Sequence, residues 1–141
     1  MTLPLAKTMA LCAGLLSFLA IDGSVSPARA DNPYGCACFH NKTGVEIKYR
    51  YKWGDGDWKQ VSLPAGYQQS LCWRYDEGNH SSPELLFQID VDMSTGSAWT
   101  TYDIKRLQAS GNTCSVIGQD AHYDIDYRPN TGHSFIHVTH R

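Results

Sequence analysis

Apolar and polar side chains alternate strictly from Val45 to Trp53: Val45, Ile47, Tyr49, Tyr51 and Trp53 are interleaved with Glu46, Lys48, Arg50 and Lys52. A period of two places one set on each face of an extended chain, which predicts a half-buried β-strand with one wet face. Gly54-Asp55-Gly56-Asp57 follows as a hairpin signal, and Trp58 to Leu63 returns as the partner strand. Pro64-Ala65-Gly66 turns the chain, and Gln69, Leu71, Trp73 and Tyr75 share the parity of a further strand. After the polar loop Asp76 to Pro83, Leu85, Phe87, Ile89 and Val91 point one way, with Gln88, Asp90 and Asp92 pointing the other.

Ser94-Thr95-Gly96 makes another turn, and Ala98 to Leu107 reads as one strand that Ser110-Gly111-Asn112 breaks. Thr113 to Ile117, Tyr123 to Tyr127 and Ser134 to Thr139 read as three more, the last two joined by a Pro129-Asn130-Thr131-Gly132 hairpin loop. No stretch after residue 31 holds a helical period. Short strands separated by frequent turn signals predict an all-β fold, a small two-sheet antiparallel sandwich, immunoglobulin-like or similar. The Leu63-Pro64-Ala65-Gly66 turn before an aromatic-bearing strand resembles turns of immunoglobulin-like modules, at too few residues to identify a family.

The N-terminal segment departs from this pattern. Lys7 precedes an uncharged run from Thr8 to Ile21, and Ala28-Arg29-Ala30 supplies a small-x-small cleavage site. Residues 1–30 therefore read as a secretory signal peptide, leaving residues 31–141 as a single exported domain, secreted or periplasmic. The apolar run falls short of the about 20 residues of a transmembrane helix, so no membrane attachment is expected after cleavage. From residue 31 onward, ten Lys/Arg stand against thirteen Asp/Glu with no basic block, which argues against nucleic acid as a partner.

Cys12 leaves with the signal peptide. Cys36, Cys38, Cys72 and Cys114 remain, an even number in a small exported chain, which predicts two disulfides. Cys36 and Cys38 lie about 7 Å apart along an extended strand, too far to bridge each other. Each is therefore expected to pair with Cys72 or Cys114, in an order the spacing does not fix. The cross-links would tie a strand at Cys36–His40 to the middle and late strands.

Candidate chemistry is sparse. Cys36-x-Cys38-x-His40 places three possible metal ligands on one strand face, and His133, His137 and His140 cluster near the C-terminus. The cysteine spacing is shorter than that of zinc sites, and oxidation would consume the thiols, so neither metal nor cofactor is expected. Asp90-x-Asp92 and Asp124-x-Asp126 would offer four carboxylates to Ca²⁺ if their strands were neighbours; otherwise they are solvated faces. Ser94, Ser97, Ser110 and Ser115 lack the strand–turn–helix setting of a catalytic serine. Asn41-Lys42-Thr43 and Asn79-His80-Ser81 match the glycosylation sequon.

The aromatics give the sharper signal. Tyr49, Tyr51, Trp53, Trp73 and Tyr102 fit the buried parity, whereas Trp58 and Trp99 fall on the outward one, each beside a turn. Outward indoles suggest contact with a ligand. The expected function is a non-enzymatic binding or interaction module, taking a glycan or protein partner through Trp58, Trp99 and loops. The rival class is a small metal-binding protein or hydrolase using the histidines or the paired aspartates. The cysteine count yields a first prediction: full reduction of the exported protein adds four hydrogens to its intact mass, and no thiol titrates in the native state.

Overall fold

The computed structural model describes residues 32–141; the expected signal peptide, residues 1–30, lies outside them. Nine strands form two sheets: β1 (Tyr34–Asn41), β2 (Ile47–Trp53), β3 (Lys59–Leu63), β4 (Gln68–Arg74), β5 (Leu85–Asp90), β6 (Trp99–Asp103), β7 (Leu107–Ala109), β8 (His122–Tyr127) and β9 (Ile136–His140). One sheet runs β4-β1-β8-β9 with β7 also on β1, and the other runs β3-β2-β5-β6. The sandwich architecture expected from the alternation is the observed one. Pairing is antiparallel except between β1 and β8, which run parallel with Phe39 opposite Tyr123. Among the described residues no helix is long and apolar enough to cross a membrane.

The core forms where the inward parities of the two sheets meet. Phe39 of β1 stacks on Phe87 of β5 at 4.1 Å between ring centres and 3° between planes. Tyr123 of β8 and Tyr49 of β2 lie farther out in the same stack, at 5.6 and 6.5 Å from Phe39. Ile47, Ile89, Ile125 and Ile136 complete it, all fully buried. The opposite face of β1 carries Cys36 and Cys38, both fully buried as well. Cys36 bridges to Cys72, its direct neighbour on β4, and Cys38 bridges to Cys114. Each of the two cysteines thus takes one distant partner, and the order left open by the spacing is settled.

The structure corrects several expectations. The single strand expected over Ala98–Leu107 is two, β6 and β7, lying in different sheets. The chain leaves one sheet at the buried Ile104, and the Lys105 N–H donates to the Tyr123 hydroxyl at 2.6 Å as it crosses to the other. Thr113–Ile117 is not a strand; Cys114–Val116 is a single 3₁₀ turn, because the segment must arch over the outer face of β1 to bring Cys114 onto Cys38. Val45 precedes β2 and is exposed. Asp90, expected on a wet face, is 1% exposed, and its Oδ1 accepts the Ala98 N–H at 2.8 Å, closing the loop between β5 and β6. Of the five aromatics assigned to the buried parity only Tyr49 is fully enclosed; Tyr51, Trp53, Trp73 and Tyr102 are half-buried.

Asn41 is also not what its sequon suggests. It is 1% exposed, and its Nδ2 donates to the carbonyls of Val45, Leu63 and Pro64 at 2.8, 2.9 and 3.1 Å. Its Oδ1 accepts from the Thr43 N–H and hydroxyl at 2.9 and 2.6 Å. One side chain therefore ties the β1–β2 turn to the Pro64–Gly66 corner, where the chain passes between sheets and Gly66 takes a φ of 78° that favours glycine. Asn79 by contrast is exposed, with the Ser81 hydroxyl donating to its Oδ1. Replacing Asn41 by Ala orphans several buried groups at once, so Asn41→Ala is expected to lower the unfolding free energy by about 3 kcal/mol or more. Denaturant titration measures it, and Asn79→Ala serves as a near-neutral comparison.

Candidate functional site

Trp58 and Trp99 lie where strand parity puts them, on the outer face of the β3-β2-β5-β6 sheet. Trp99 opposes Asp90 across β5–β6, and Trp58 immediately precedes β3. Arg50 projects from β2 between them, its guanidinium carbon 4.6 Å from the centre of each indole. Its Nε donates to Gln88 Oε1 at 2.6 Å, and Gln88 Nε2 donates to Thr101 Oγ1 at 2.8 Å, so the two indoles and Gln88, itself held by Thr101, fix the cation in place. Lys52 also approaches the Trp58 ring, at 5.2 Å. One face of each indole is therefore already engaged by a cation. That is a structural reason for an isolated domain to hold tryptophans at its surface, and it does not need a ligand.

A concave surface lies elsewhere, along the seam where edge strands β3 and β4 of the two sheets face each other. A cavity of about 350 Å³ there is lined by Tyr49, Tyr51, Trp53 and Val61 from one sheet and Leu71 from the other, with Gln69, Ser70 and Asn112 at its rim. A second hollow of about 340 Å³ by the Gly54–Asp57 hairpin shares Tyr51 and Trp53 with it and is further bounded by Trp73, Lys59 and Asp57. Trp53 and Trp73 close on each other across the sandwich at 5.6 Å. Alternation creates this groove: the inward parities of β2 and β4 continue past the point where β1 and β5 fill the centre, leaving large rings with nothing opposite. Tyr49 contributes a wall of the first cavity, and its hydroxyl is buried without a hydrogen-bond partner. Burial pushes its pKa well above the usual tyrosine range, so it remains a neutral phenol. Reading each strand alone assigned Trp53 and Trp73 to the core; only the offset between the sheets turns them into cleft walls.

The metal and acid candidates regroup. Cys38, His40 and His122 come together with their ligand atoms within 4.8 Å of one another. Cys38 is engaged in its disulfide, and the partner histidine is one that strand-local reading missed, because the parallel β1–β8 register sets Cys38 beside His122 across 84 positions of chain. His122 Nε2 lies 2.8 Å from the Ile117 carbonyl, which can only accept, so Nε2 carries the proton and Nδ1 is a bare acceptor. His40 Nε2 then donates to it at 2.8 Å. Burial, then the Arg141 charge, holds the His40 pKa below its ordinary value. His133 and His140 lie elsewhere, stacked on Tyr127 and Tyr123. Asp90 and Asp92 belong to one sheet side and Asp124 and Asp126 to the other, so no four-carboxylate site forms. Asp92 is held below the usual carboxylate range by the Ser94 hydroxyl and amide.

A disulfide-stapled sandwich with an aromatic seam is thus the class that fold and site define. Compared with known proteins, the chain matches no family, no curated protein and no solved structure. The stacked cation makes a quantitative prediction. A double-mutant cycle on Arg50→Ala and Trp99→Ala should give a coupling of about 0.5–1 kcal/mol in thermal or denaturant unfolding. Additive effects would mean that the indole faces are not occupied by Arg50 in solution.

Proposed function

We propose that the chain is a non-enzymatic binding module of an export compartment, secreted or periplasmic, and that it takes a glycan in the groove between β3 and β4. The observation that carries this reading is an aromatic-walled cavity one of whose walls is Tyr49, a residue whose buried hydroxyl has no hydrogen-bond partner. A buried hydroxyl left without a partner costs about 1–3 kcal/mol, and a ligand oxygen seated there would recover it. A sugar ring matches the walls. Its C–H faces pack on Trp53, Trp73 and Tyr51, while Gln69, Ser70 and Asn112 meet its hydroxyls at the rim. The cavity volume is in the range of small-molecule sites, roughly 300–1,000 Å³. Two disulfides fit an oxidising compartment.

Binding rather than turnover is favoured by the lining itself. Asp57 is the one carboxylate bounding the two hollows, and glycoside hydrolysis ordinarily needs a pair. Trp58 and Trp99, whose inner faces hold Arg50, remain the second surface through which a protein partner would dock.

Tyr49→Phe separates ligand binding from folding by opposite signs. It is expected to weaken glycan binding about tenfold while leaving stability unchanged or raising it by about 1 kcal/mol. A glycan array followed by calorimetric titration of the best neutral oligosaccharide reads the first effect, and thermal unfolding the second. Trp58→Ala should leave that affinity intact. Destabilisation by Tyr49→Phe with unchanged affinity would reject the groove, and loss of binding confined to Trp58→Ala or Trp99→Ala would move the site to the outer sheet face.

A further inference from the structure

The Cys38–His40–His122 cluster carries an inference independent of the groove. Three features coincide there. His122 is 3% exposed and fixed by its bond to the Ile117 carbonyl, so its Nδ1 lone pair is aimed at one point, the arrangement in which metal-ligating imidazoles are ordinarily held by an outer carbonyl. His40 Nε2 reaches the same point, 2.8 Å from that Nδ1 and 3.3 Å from Cys38 Sγ. The sulfur is the third vertex, with all three ligand atoms inside 4.8 Å. A tetrahedral zinc ion, with bonds of about 2.0–2.3 Å, separates its ligand atoms by roughly 3.3–3.6 Å, so admitting one needs the half-exposed His40 ring to turn and the Cys38 sulfur, once released from Cys114, to close toward His122 Nδ1.

We infer that opening the Cys38–Cys114 disulfide converts this cluster into a three-ligand site for a borderline divalent cation such as Zn²⁺, formed by Cys38 Sγ, His40 Nε2 and His122 Nδ1. The two cysteines are placed unequally for such a conversion. Cys38 is in the middle of β1, hydrogen-bonded on both edges and fully buried. Cys114 is 7% exposed and sits on a single 3₁₀ turn flanked by exposed residues. A thiolate of an external dithiol attacks Cys114 Sγ; the S–S bond breaks and its electron pair leaves on Cys38 as thiolate. The dithiol's second sulfur displaces Cys114 as a thiol and closes the reductant's own disulfide, so the chain gains two electrons and the dithiol loses two. Cys114 then swings out with its loop, while Cys38, His40 and His122 stay on paired strands. On metal binding His40 moves its proton from Nε2 to Nδ1, with no net change in imidazole protonation. A fourth position faces solvent past His40. Arg141, 3.4 Å from His40 Nε2 and paired with Asp124 at 3.0 Å, and Lys42 on the same side oppose the cation, whereas Asp124 favours it.

Cys114→Ser holds the site open with Cys36–Cys72 intact, and Cys38→Ser is its matched control, since it loses the same cross-link and keeps the same number of thiols. Both are titrated with Co²⁺ as a spectroscopic stand-in for Zn²⁺, and both are melted with and without Zn²⁺. Cys114→Ser is expected to bind one equivalent at least tenfold more tightly than Cys38→Ser or the native protein, with a thiolate-to-cobalt charge-transfer band, and to melt higher in Zn²⁺. Adding His40→Gln to Cys114→Ser should cost at least tenfold. Should Cys114→Ser be unfolded without metal, folding on addition of Zn²⁺ supports the site and failure to fold rejects it. Equal affinity of the two cysteine variants, absence of the thiolate band, or indifference to His40→Gln each overturns it.

Discussion

Strand β1 is buried on both faces, and most of the architecture follows from covering it. One edge is paired with β4 along almost its whole length. The other is shared, antiparallel with β7 at Tyr34–Cys36 and parallel with β8 at Cys38–Asn41. Its inward side chains include Phe39, the ring on which Phe87 stacks. Its outward side chains Cys36 and Cys38, each in a disulfide to a distant partner, are apolar groups that cost free energy in contact with water, and the segment carrying Cys114 arches over this face. Asn41 ends the strand and satisfies the turns at that end of the sandwich with one amide. In the chain-entropy description each of the two cross-links contributes about 4 kcal/mol, comparable with the net stability of many domains of this size.

The same arrangement explains why the groove lies where it does. Sheets of different strand order meet face to face, and the rings of β1, β5 and β8 fill the centre. At the β3–β4 margin each sheet ends, yet the alternation of β2 and β4 goes on supplying Tyr51, Trp53 and Trp73. Large side chains with no opposing layer produce a cleft. Tyr49 stands at the boundary, with its ring in the core stack and also lining the cleft, and its buried hydroxyl is left without a protein partner.

The outer face of the other sheet shows a different solution to exposed aromatic area. Arg50 between Trp58 and Trp99 replaces bare indole with a hydrogen-bonded cation, tied through Gln88 to Thr101. Strands β2, β5 and β6 and the turn before β3 are stitched across their wet side in this way. The surface is therefore ordered without a partner, and its tryptophans carry less evidence for a ligand than their parity alone suggested.

Period-two alternation by itself determined β2, β4 and β5, their inward parity and the outward placement of Trp58 and Trp99, because which face a strand residue takes depends only on its neighbours along the chain. The turn residues determined the hairpin at Gly54–Asp57 and the corner at Pro64–Gly66 for the same local reason, and the cysteine count determined that two bridges form. Tertiary structure alone decided which cysteine meets which, that Ala98–Leu107 divides between sheets, that Thr113–Ile117 is drawn into a 3₁₀ turn, and that Asp90 and Asn41 are buried. Each of these depends on register between strands far apart in sequence. The candidate sites are of that second kind. Tyr49 with Trp73, and His40 with His122, are brought together by the offset of two sheets and by one parallel pairing, neither of which leaves a mark on the local pattern of residues.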